Sequence, residues 1–275
     1  MTTRNLTVVA GSFAYSFAVQ TLANIKSRVQ PGQYCSHFAL AKPGLERGRL
    51  ERVLKGPLPA AVIGLAVRPD ADAVALCEKA GVPIVLIDEK TEGASTVAAD
   101  DYRGGFLAGR HLAISGRKHI AVISGFVTGP GSYNAEQRIK GFRAALNAAD
   151  LDLPETHHAQ VQYYSYEEGR TTMTAWLKQK LTIDAIFSAA GDDCATGVLR
   201  AALDHGVKVP EDVAVLGYDD LETAKSTNPP LSTIRQPLVK MAHTAYELAS
   251  DGSNDIASHP KSVVFDPDLV VRTSA

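Results

Sequence analysis

Short apolar runs alternate along the chain with longer segments in which apolar residues recur at helical spacing. The apolar runs, which predict β-strands, lie at residues 6–10, 61–65, 83–87, 119–123, 185–187 and 213–217. The amphipathic segments, which predict helices, lie at residues 21–29, 72–80, 135–148, 166–180, 195–205 and 238–250. Strands that are apolar on both faces need helices on both faces. The pattern therefore predicts an α/β protein with parallel sheets. We expect two doubly wound lobes, because roughly ten strands would be unusually many for one open sheet.

Composition and charge narrow the class of protein. With 45% hydrophobic and 21% charged residues, the chain has the composition of an ordinary globular protein. A net charge of −2 provides no basic surface for a nucleic acid. The start lacks the pattern of a signal peptide, and no apolar stretch has membrane-spanning length. Cys35, Cys77 and Cys194 are odd in number and far apart, so we expect reduced packing residues in a cytoplasmic protein without membrane contact.

The chain carries no motif of a familiar catalytic site. It lacks a Gly-x-Ser-x-Gly elbow, a phosphate-binding loop ending in Gly-Lys-Ser/Thr, a His-Glu-x-x-His pair and a Cys-x-x-Cys pair. The first predicted strand is not followed by Gly-x-Gly-x-x-Gly. The acidic pairs at 100–101 and 192–193 are explained as helix caps more simply than as magnesium ligands. We predict no enzyme activity, no cofactor and no metal.

Motifs spread over most of the chain resemble the effector-binding core of LacI/GalR-type bacterial transcriptional regulators. In family order they occupy residues 100–105, 108–112, 115–121, 138–146, 209–220 and 229–237. The resemblance implies two Rossmann-like lobes of the periplasmic-binding-protein type, with a small molecule in the cleft that separates them. It divides the chain into an N-terminal lobe (1–99 and 236–265) and a C-terminal lobe (100–235 and 266–275).

The resemblance also implies partners. Family members bind a small-molecule effector of the sugar, polyol or nucleobase class, form homodimers and reach operator DNA through a separate headpiece. Only residues 1–5 precede the first predicted strand, so we expect this polypeptide alone not to bind an operator. Other classes stay open: a solute-binding receptor of an uptake system has the same fold, and an α/β enzyme such as a sugar-phosphate transferase is a further alternative.

Two positions lead the predicted ligand-binding set. Asp219 follows a strand, and ligands of parallel sheets bind beyond the carboxyl ends of strands. Its alternative is an Asx turn, a role for which Asp220 is the better candidate. The resemblance places Arg138 in the cleft, where its guanidinium fork suits vicinal hydroxyls or a carboxylate. The alternative for Arg138 is a solvated position on a polar helix face.

Three further polar positions join the set. Asp192 ends a predicted strand and serves either as a ligand contact or as a helix N-cap. The family usually has Asn where this chain has Gly191, so a polar contact to the ligand is expected to be missing. Asp88 follows the strand at 83–87 and is either a ligand contact or a turn acceptor, and Gln236 lies near a crossing between lobes.

Aromatic positions complete the predicted set. The resemblance places an effector-contacting loop after the first strand, where Ser12, Phe13, Tyr15 and Phe17 supply a hydroxyl and rings for stacking. Burial of both phenylalanines in the core is the alternative. A further aromatic wall corresponds to Tyr164, a role for which Tyr163 and Tyr166 compete.

Overall fold

The computed structural model describes residues 5–39, 46–126, 133–251 and 259–275. The chain divides into two compact units, Met1–Ala99 with Pro237–Phe265 and Asp100–Gln236 with Asp266–Ala275. The sequence-based division gave Gln236 to the first unit, whereas the structure groups it with the second. Among the described residues, each unit contains a six-stranded sheet with helices, so the predicted α/β fold class is confirmed. Within the described ranges, no helix combines the length and apolarity needed to cross a bilayer.

The elements follow in alternation along the chain. The strands are β1 (Leu6–Ala10), β2 (Cys35–Ala39), β3 (Ala61–Leu65), β4 (Ile84–Ile87), β5 (Ser95–Ala99), β6 (Ile120–Ser124), β7 (His158–Gln160), β8 (Ala185–Ser188), β9 (Ala214–Asp219), β10 (Ser232–Arg235), β11 (Ser262–Phe265) and β12 (Asp268–Val270). The helices are α1 (Ser16–Lys26), α2 (Glu46–Lys55), α3 (Ala71–Lys79), α4 (Asp101–Ile114), α5 (Tyr133–Asn147), α6 (Tyr166–Lys178), α7 (Asp192–Asp204), α8 (Glu222–Ser226) and α9 (Leu238–Ser250).

The sheet of the first unit has the order β11-β5-β4-β3-β1-β2, with all neighbours parallel. Val9, Val62 and Leu86 point to one face, where they pack with residues of α2 and α3. The alternate residues of the same strands are also buried, and α9 contacts β3, β4 and β5. Both faces are therefore covered, which is why these strands are apolar throughout.

The sheet of the second unit has the order β12-β10-β9-β8-β6-β7, parallel except for the antiparallel pair β10 and β12. Ile120 and Phe187 face the cluster formed with α4 and α5, whereas Ile123 and Ile186 face the cluster formed with α6 and α7. Successive strand residues point to opposite faces. The helices therefore lie on both faces, and the carboxyl ends of β6, β8, β9 and β10 share one edge.

The sequence prediction missed β10, which carries polar residues. Ser232 and Thr233 are fully buried. The Ser232 backbone N–H donates to Ser274 Oγ at 2.8 Å, and the Thr233 hydroxyl donates to Asp192 Oδ1 at 2.6 Å. Burial of a polar group is tolerated when a partner satisfies it. Both partners are about forty residues away in sequence, so local periodicity gave no signal for this strand.

Candidate functional site

The carboxyl ends of β9 and β10 bring two predicted residues together. Asp219 is the last residue of β9 and lies opposite Arg235 in the parallel register, so Gln236 follows directly beside it. Gln236 Nε2 donates to Asp219 Oδ1 at 2.7 Å. The exposed fractions are 8% for Asp219 and 3% for Gln236. The strand register thus places an amide and a carboxylate side by side in a nearly dry environment.

Each of these side chains has an acceptor atom that the described residues leave without a donor. Gln236 Oε1 is buried and has no hydrogen-bond partner. The hydrogen bond to Asp219 reaches Oδ1, and no described group donates to Oδ2. For Gln236 Oε1, which is fully buried, the missing donor costs about 1–3 kcal/mol. The pair is therefore suited to a molecule that offers hydrogen-bond donors.

Arg138 lies buried on α5 in a dense polar network. Its Nε donates to Asp101 Oδ1 at 2.7 Å, and its Nη1 donates to the carbonyl oxygen of Ala189 at 3.0 Å. The guanidinium carbon lies 3.7 Å from the ring centroid of Tyr218, whose hydroxyl donates to the same Asp101 oxygen at 3.0 Å. The alternative of a solvated arginine is therefore wrong. The ion pair and the ring together hold the guanidinium in one place.

Asp192 is not the N-cap of α7, because Gly191 occupies that position. Asp192 is fully buried; its Oδ2 accepts from the backbone N–H of Leu221 at 2.8 Å, and its Oδ1 accepts from Thr233. Burial and the nearby charge of Asp219 raise the pKa of Asp192. The side chain thus ties the start of α7 to β10 and to the loop after β9, which positions Asp219.

Asp220, unlike its neighbour Asp219, is paired with two arginines. Its carboxylate accepts from Arg235 Nε at 2.7 Å and from Arg272 Nη2. Burial acts to raise the pKa of Asp220, but the hydrogen bonds from Arg272 and Arg235 outweigh it and leave the pKa below its usual value. Asp219 and Asp220 have backbone φ values of 107° and 56°, in the left-handed region. The two arginines therefore stabilise a strained strand end that presents Asp219.

The buried carboxylates have pKa values displaced upwards. Burial raises the pKa of Asp219 to about 6, although Arg138 and the hydrogen bond from Gln236 act in the opposite direction. Burial also raises the pKa of Asp101 despite its pairing with Arg138. Across the described part of the chain, no group of three or more His, Cys, Asp or Glu residues is placed to hold a metal ion.

The raised pKa of Asp219 predicts how stability depends on pH. Between about pH 4, the pKa of an unfolded aspartate, and about 6, the folded state holds a proton that the unfolded state releases. Stability therefore falls as pH rises through this window, and Asp219→Asn removes the loss, which is on the order of 2–3 kcal/mol over the whole window and about half of that between pH 5 and pH 8. Urea unfolding of both proteins at pH 5 and pH 8 measures the effect. A difference between the two proteins that is the same at both pH values contradicts the assignment.

The predicted residues of the first unit follow two of its strands. Asp88, directly after β4, is buried with a backbone φ of 64°. Ser12 Oγ accepts from the backbone N–H of Ala14 at 3.0 Å, and the rings of Phe13 and His37 meet edge to face at 5.4 Å. Tyr15 is the N-cap residue of α1, and Phe17 lies in its first turn. Both phenylalanines are only half-buried, so neither joins the buried core.

Tyr164 lies over the carboxyl end of β6. A side chain added at Gly125 would come within 1.7 Å of the Tyr164 hydroxyl, and Tyr164 packs partly buried against the cluster of α6 and α7. Its competitors Tyr163 and Tyr166 are 55% and 40% exposed. Tyr164 therefore lies at the same sheet edge as Asp219, and its contact with a ligand stays a prediction.

Sequence reasoning missed Asp101 and Tyr218, the residues that hold Arg138. Of the acidic pair at 100–101, Asp100 does cap α4, accepting from the backbone N–H of Arg103 at 2.9 Å. Asp101 is not a cap; it is the buried partner of Arg138, 37 residues away. The sequence did indicate that one of these two aspartates has another role, because two adjacent acidic residues at a helix start cannot both be the N-cap.

Comparison with known proteins extends these observations. The profile of the periplasmic binding protein-like domain family matches residues 110–275. The HTH-type transcriptional regulator CelR of Thermobifida fusca is 32% identical over 246 residues, which cover 86% of this chain and 69% of CelR. The HTH-type transcriptional repressor PurR of Escherichia coli O1:K1 / APEC is 33% identical over 199 residues, 70% of this chain and 56% of PurR. The chain thus spans about half to two thirds of these relatives.

Two solved structures of transcriptional regulators also superpose on this chain. A transcriptional regulator CelR–cellobiose complex superposes with a TM-score of 0.82 at 28% identity, covering 98% of this chain and 84% of that one. The lactose repressor bound to the anti-inducer ONPF superposes with a TM-score of 0.85 at 22% identity, covering 98% and 99%, and supports the fold. With its sheet architecture and ordered motifs, the chain belongs to the periplasmic-binding-protein-like family and, within it, to the LacI/GalR-type transcriptional regulators.

Proposed function

We propose that this chain is the effector-binding core of a LacI/GalR-type regulator and that it binds a small neutral sugar or a related metabolite at Asp219 and Gln236. The observation that carries the proposal is the pair of acceptors, Asp219 Oδ2 and Gln236 Oε1, to which no described residue donates. Sugar hydroxyls donate hydrogen bonds without bringing a charge. They satisfy both acceptors at a sheet edge where ligands of parallel sheets bind.

The charges around the site favour a neutral effector over an anion. Asp219 is ionised above about pH 6, and Asp192 lies close enough for its pKa to respond to that charge. The guanidinium of Arg138 is already paired with Asp101. The carboxylates would therefore repel an anionic effector, and the positive charge of Arg138 is already balanced by Asp101. The solved complex of the relative CelR with cellobiose supports the same ligand class.

The regulatory part of the proposal concerns the whole protein. We propose a cytoplasmic homodimer in which effector binding changes the affinity of the regulator for operator DNA. An effector shifts such an equilibrium only through different affinities for the two states. Sedimentation of this chain at micromolar concentration tests the dimer, and a monomer contradicts it. The other predicted ligand contacts remain proposals: Ser12, Phe13, Tyr15, Phe17, Asp88, Arg138, Tyr164 and Asp192.

A thermal-shift screen tests the effector class. We expect a neutral sugar from a panel that contains cellobiose, ribose, polyols and purines to raise the Tm, because a ligand present at a hundred times its Kd stabilises the native state by about 2.7 kcal/mol. Anionic sugar phosphates serve as the contrasting group. If only the phosphates raise the Tm, or if the chain converts a panel compound into product, the proposal is wrong.

Substitution of Asp219 then locates the site. Asp219→Asn keeps the size of the side chain but removes a charge-assisted acceptor, so we expect affinity for the bound sugar to fall at least about tenfold. The matched control is Asp268→Asn, an exposed aspartate of the same unit. Calorimetric titration of both variants measures the difference. Equal affinities in the two variants would refute the placement of the sugar at Asp219.

A further inference from the structure

Ser124 links the carboxyl edge of the second unit's sheet to a histidine. It is the last residue of β6 and is fully buried. Its hydroxyl donates to the carbonyl oxygen of Gly125 at 2.7 Å, and its Oγ lies 2.8 Å from His158 Nε2. A hydroxyl has one hydrogen, and a carbonyl oxygen only accepts. The His158 ring therefore donates to Ser124, which gives a continuous chain of hydrogen bonds from His158 through Ser124 to Gly125.

The position and the charge state of His158 suit this donation. His158 lies opposite Val122 in the parallel register of β6 and β7, and Ser124 is two residues further along β6 on the same face. Burial of the ring and the charge of Arg143 lower the pKa of His158, although Glu155 acts in the opposite direction. The ring is therefore neutral at pH 7, with its single hydrogen on Nε2.

Gly125 in turn lies against Tyr164, one of the proposed ligand contacts. A Cβ built on Gly125 would overlap the Tyr164 hydroxyl and the ring carbon that bears it. Only a residue without a side chain permits this approach, so the phenol rests directly on the Gly125 backbone. Tyr164 itself has a backbone φ of 55°, in the left-handed region. Such a conformation persists only where the surrounding structure holds it.

The turn that carries Tyr164 is held separately, by Glu168 of α6. The Glu168 carboxylate accepts from the backbone N–H of Tyr163 at 2.9 Å and from the backbone N–H of Ser165 at 3.2 Å. The backbone on both sides of Tyr164 is thus fixed, whereas its ring is supported by Gly125. A shift of the Gly125 peptide therefore displaces the ring and leaves the turn in place.

We propose that His158 is a positioning residue of the effector site. By donating to Ser124, it keeps the Ser124 hydroxyl directed at the Gly125 carbonyl oxygen, and the fixed peptide holds the Tyr164 ring in place to stack on a sugar. Without this donor, nothing fixes the direction of the buried hydroxyl, and the Gly125 peptide loses its tie. The inference rests on the proposed function, because His158 acts on the effector only through Tyr164.

The test compares single variants by calorimetric titration with cellobiose, ribose and the panel sugar that gives the largest thermal shift. We expect His158→Ala to bind the sugar at least about fivefold more weakly than wild type, because the first hydrogen bond of the chain is lost. His158→Gln keeps an N–H donor and should bind nearly as well as wild type. The matched control is His157→Ala, which should leave affinity unchanged because the His157 ring donates to the carbonyl oxygen of Thr182 instead.

A double substitution shows whether His158 acts through Tyr164. Tyr164→Ala removes the ring that His158 is proposed to position, so His158→Ala should weaken binding no further in that background. Losses that add overturn the inference, because His158 then acts by another route. Should Tyr164→Ala bind too weakly to measure, the recovery of affinity in His158→Gln decides. Urea unfolding followed by Trp176 fluorescence measures the stability of each variant separately.

The outcomes separate the inference from the function on which it rests. If wild type binds none of the sugars, the proposed function is wrong, and the inference is wrong with it. If wild type binds but His158→Ala binds equally well, or His158→Gln is as weak as His158→Ala, the effector site stands and the inference is wrong. Should His158→Ala not fold, Ser124→Ala breaks the same chain. Affinity at least about fivefold below wild type then supports the inference, and equal affinity overturns it.

Discussion

Gly141→Ala is expected to destabilise the second unit by about 3 kcal/mol or more. A Cβ at Gly141 would lie 1.9 Å from the carbonyl oxygen of Tyr102, and one at Gly105 would lie 1.9 Å from the carbonyl oxygen of Arg138. Helices α4 and α5 thus touch backbone to backbone at reciprocal glycines. Ordinary contacts begin at 3.4 Å, and the obstacle is main chain rather than a flexible side chain. The helices must separate, which opens the cluster between them and the sheet.

The measurement can follow the second unit alone. Trp176 is the single tryptophan of the chain and is buried in the cluster of α6 and α7. Its fluorescence during urea unfolding therefore reports the stability of that unit. We expect the transition of Gly141→Ala to move to lower urea concentration or to vanish.

A helical glycine without neighbours provides the control. Gly48 in α2 is exposed, and a Cβ there would meet nothing within 4 Å. Alanine favours a helix over glycine by about 1 kcal/mol, so Gly48→Ala should raise the Tm in calorimetry. If Gly141→Ala is as harmless as Gly48→Ala, the close contact of α4 and α5 is not what stabilises the unit.

The close contacts of these glycines could not be predicted from the sequence. Gly105 and Gly141 both lie in the motifs that resemble the regulator family, but a one-dimensional pattern does not say which backbone each of them faces. By contrast, β1, β3 and β4 were predictable because both faces of each strand are apolar. Asp219 was predictable as well, since the first polar residue after a buried strand lies at the ligand-binding edge of a parallel sheet.

The partners of the candidate residues were not predictable. Asp101 meets Arg138 across 37 residues, and Thr233 meets Asp192 across 41. Locally, Asp101 and Asp192 have the pattern of helix caps, which is the commoner role of an acidic residue at a helix start. Only tertiary structure shows that both carboxylates are buried and that each organises a neighbouring strand or helix. The register of β9 and β10, which places Gln236 against Asp219, is likewise known only from the tertiary structure.

Arg138→Met is expected to cost about 3–5 kcal/mol at pH 8, because it leaves the carboxylate of Asp101 buried without its cation. Arg138 and Asp101 are each 5% exposed, and the Tyr218 hydroxyl is the donor that remains. Burial already raises the pKa of Asp101, and loss of Arg138 raises it further. The folded variant therefore binds a proton more tightly than the unfolded chain, so its deficit shrinks as pH falls. The loss should be smaller at pH 5 than at pH 8.

A double substitution separates the buried charge from the lost packing. Arg138→Met with Asp101→Asn removes both charges while Asn still accepts from Tyr218, so we expect most of the stability at pH 8 to return. Lys140→Met on the same helix breaks an exposed pair with Glu136 and should change stability by less than about 1 kcal/mol. Urea unfolding followed by Trp176 fluorescence measures all three. If the double variant is no more stable than Arg138→Met, the penalty comes from lost packing on Tyr218, and the ion pair does not position Arg138.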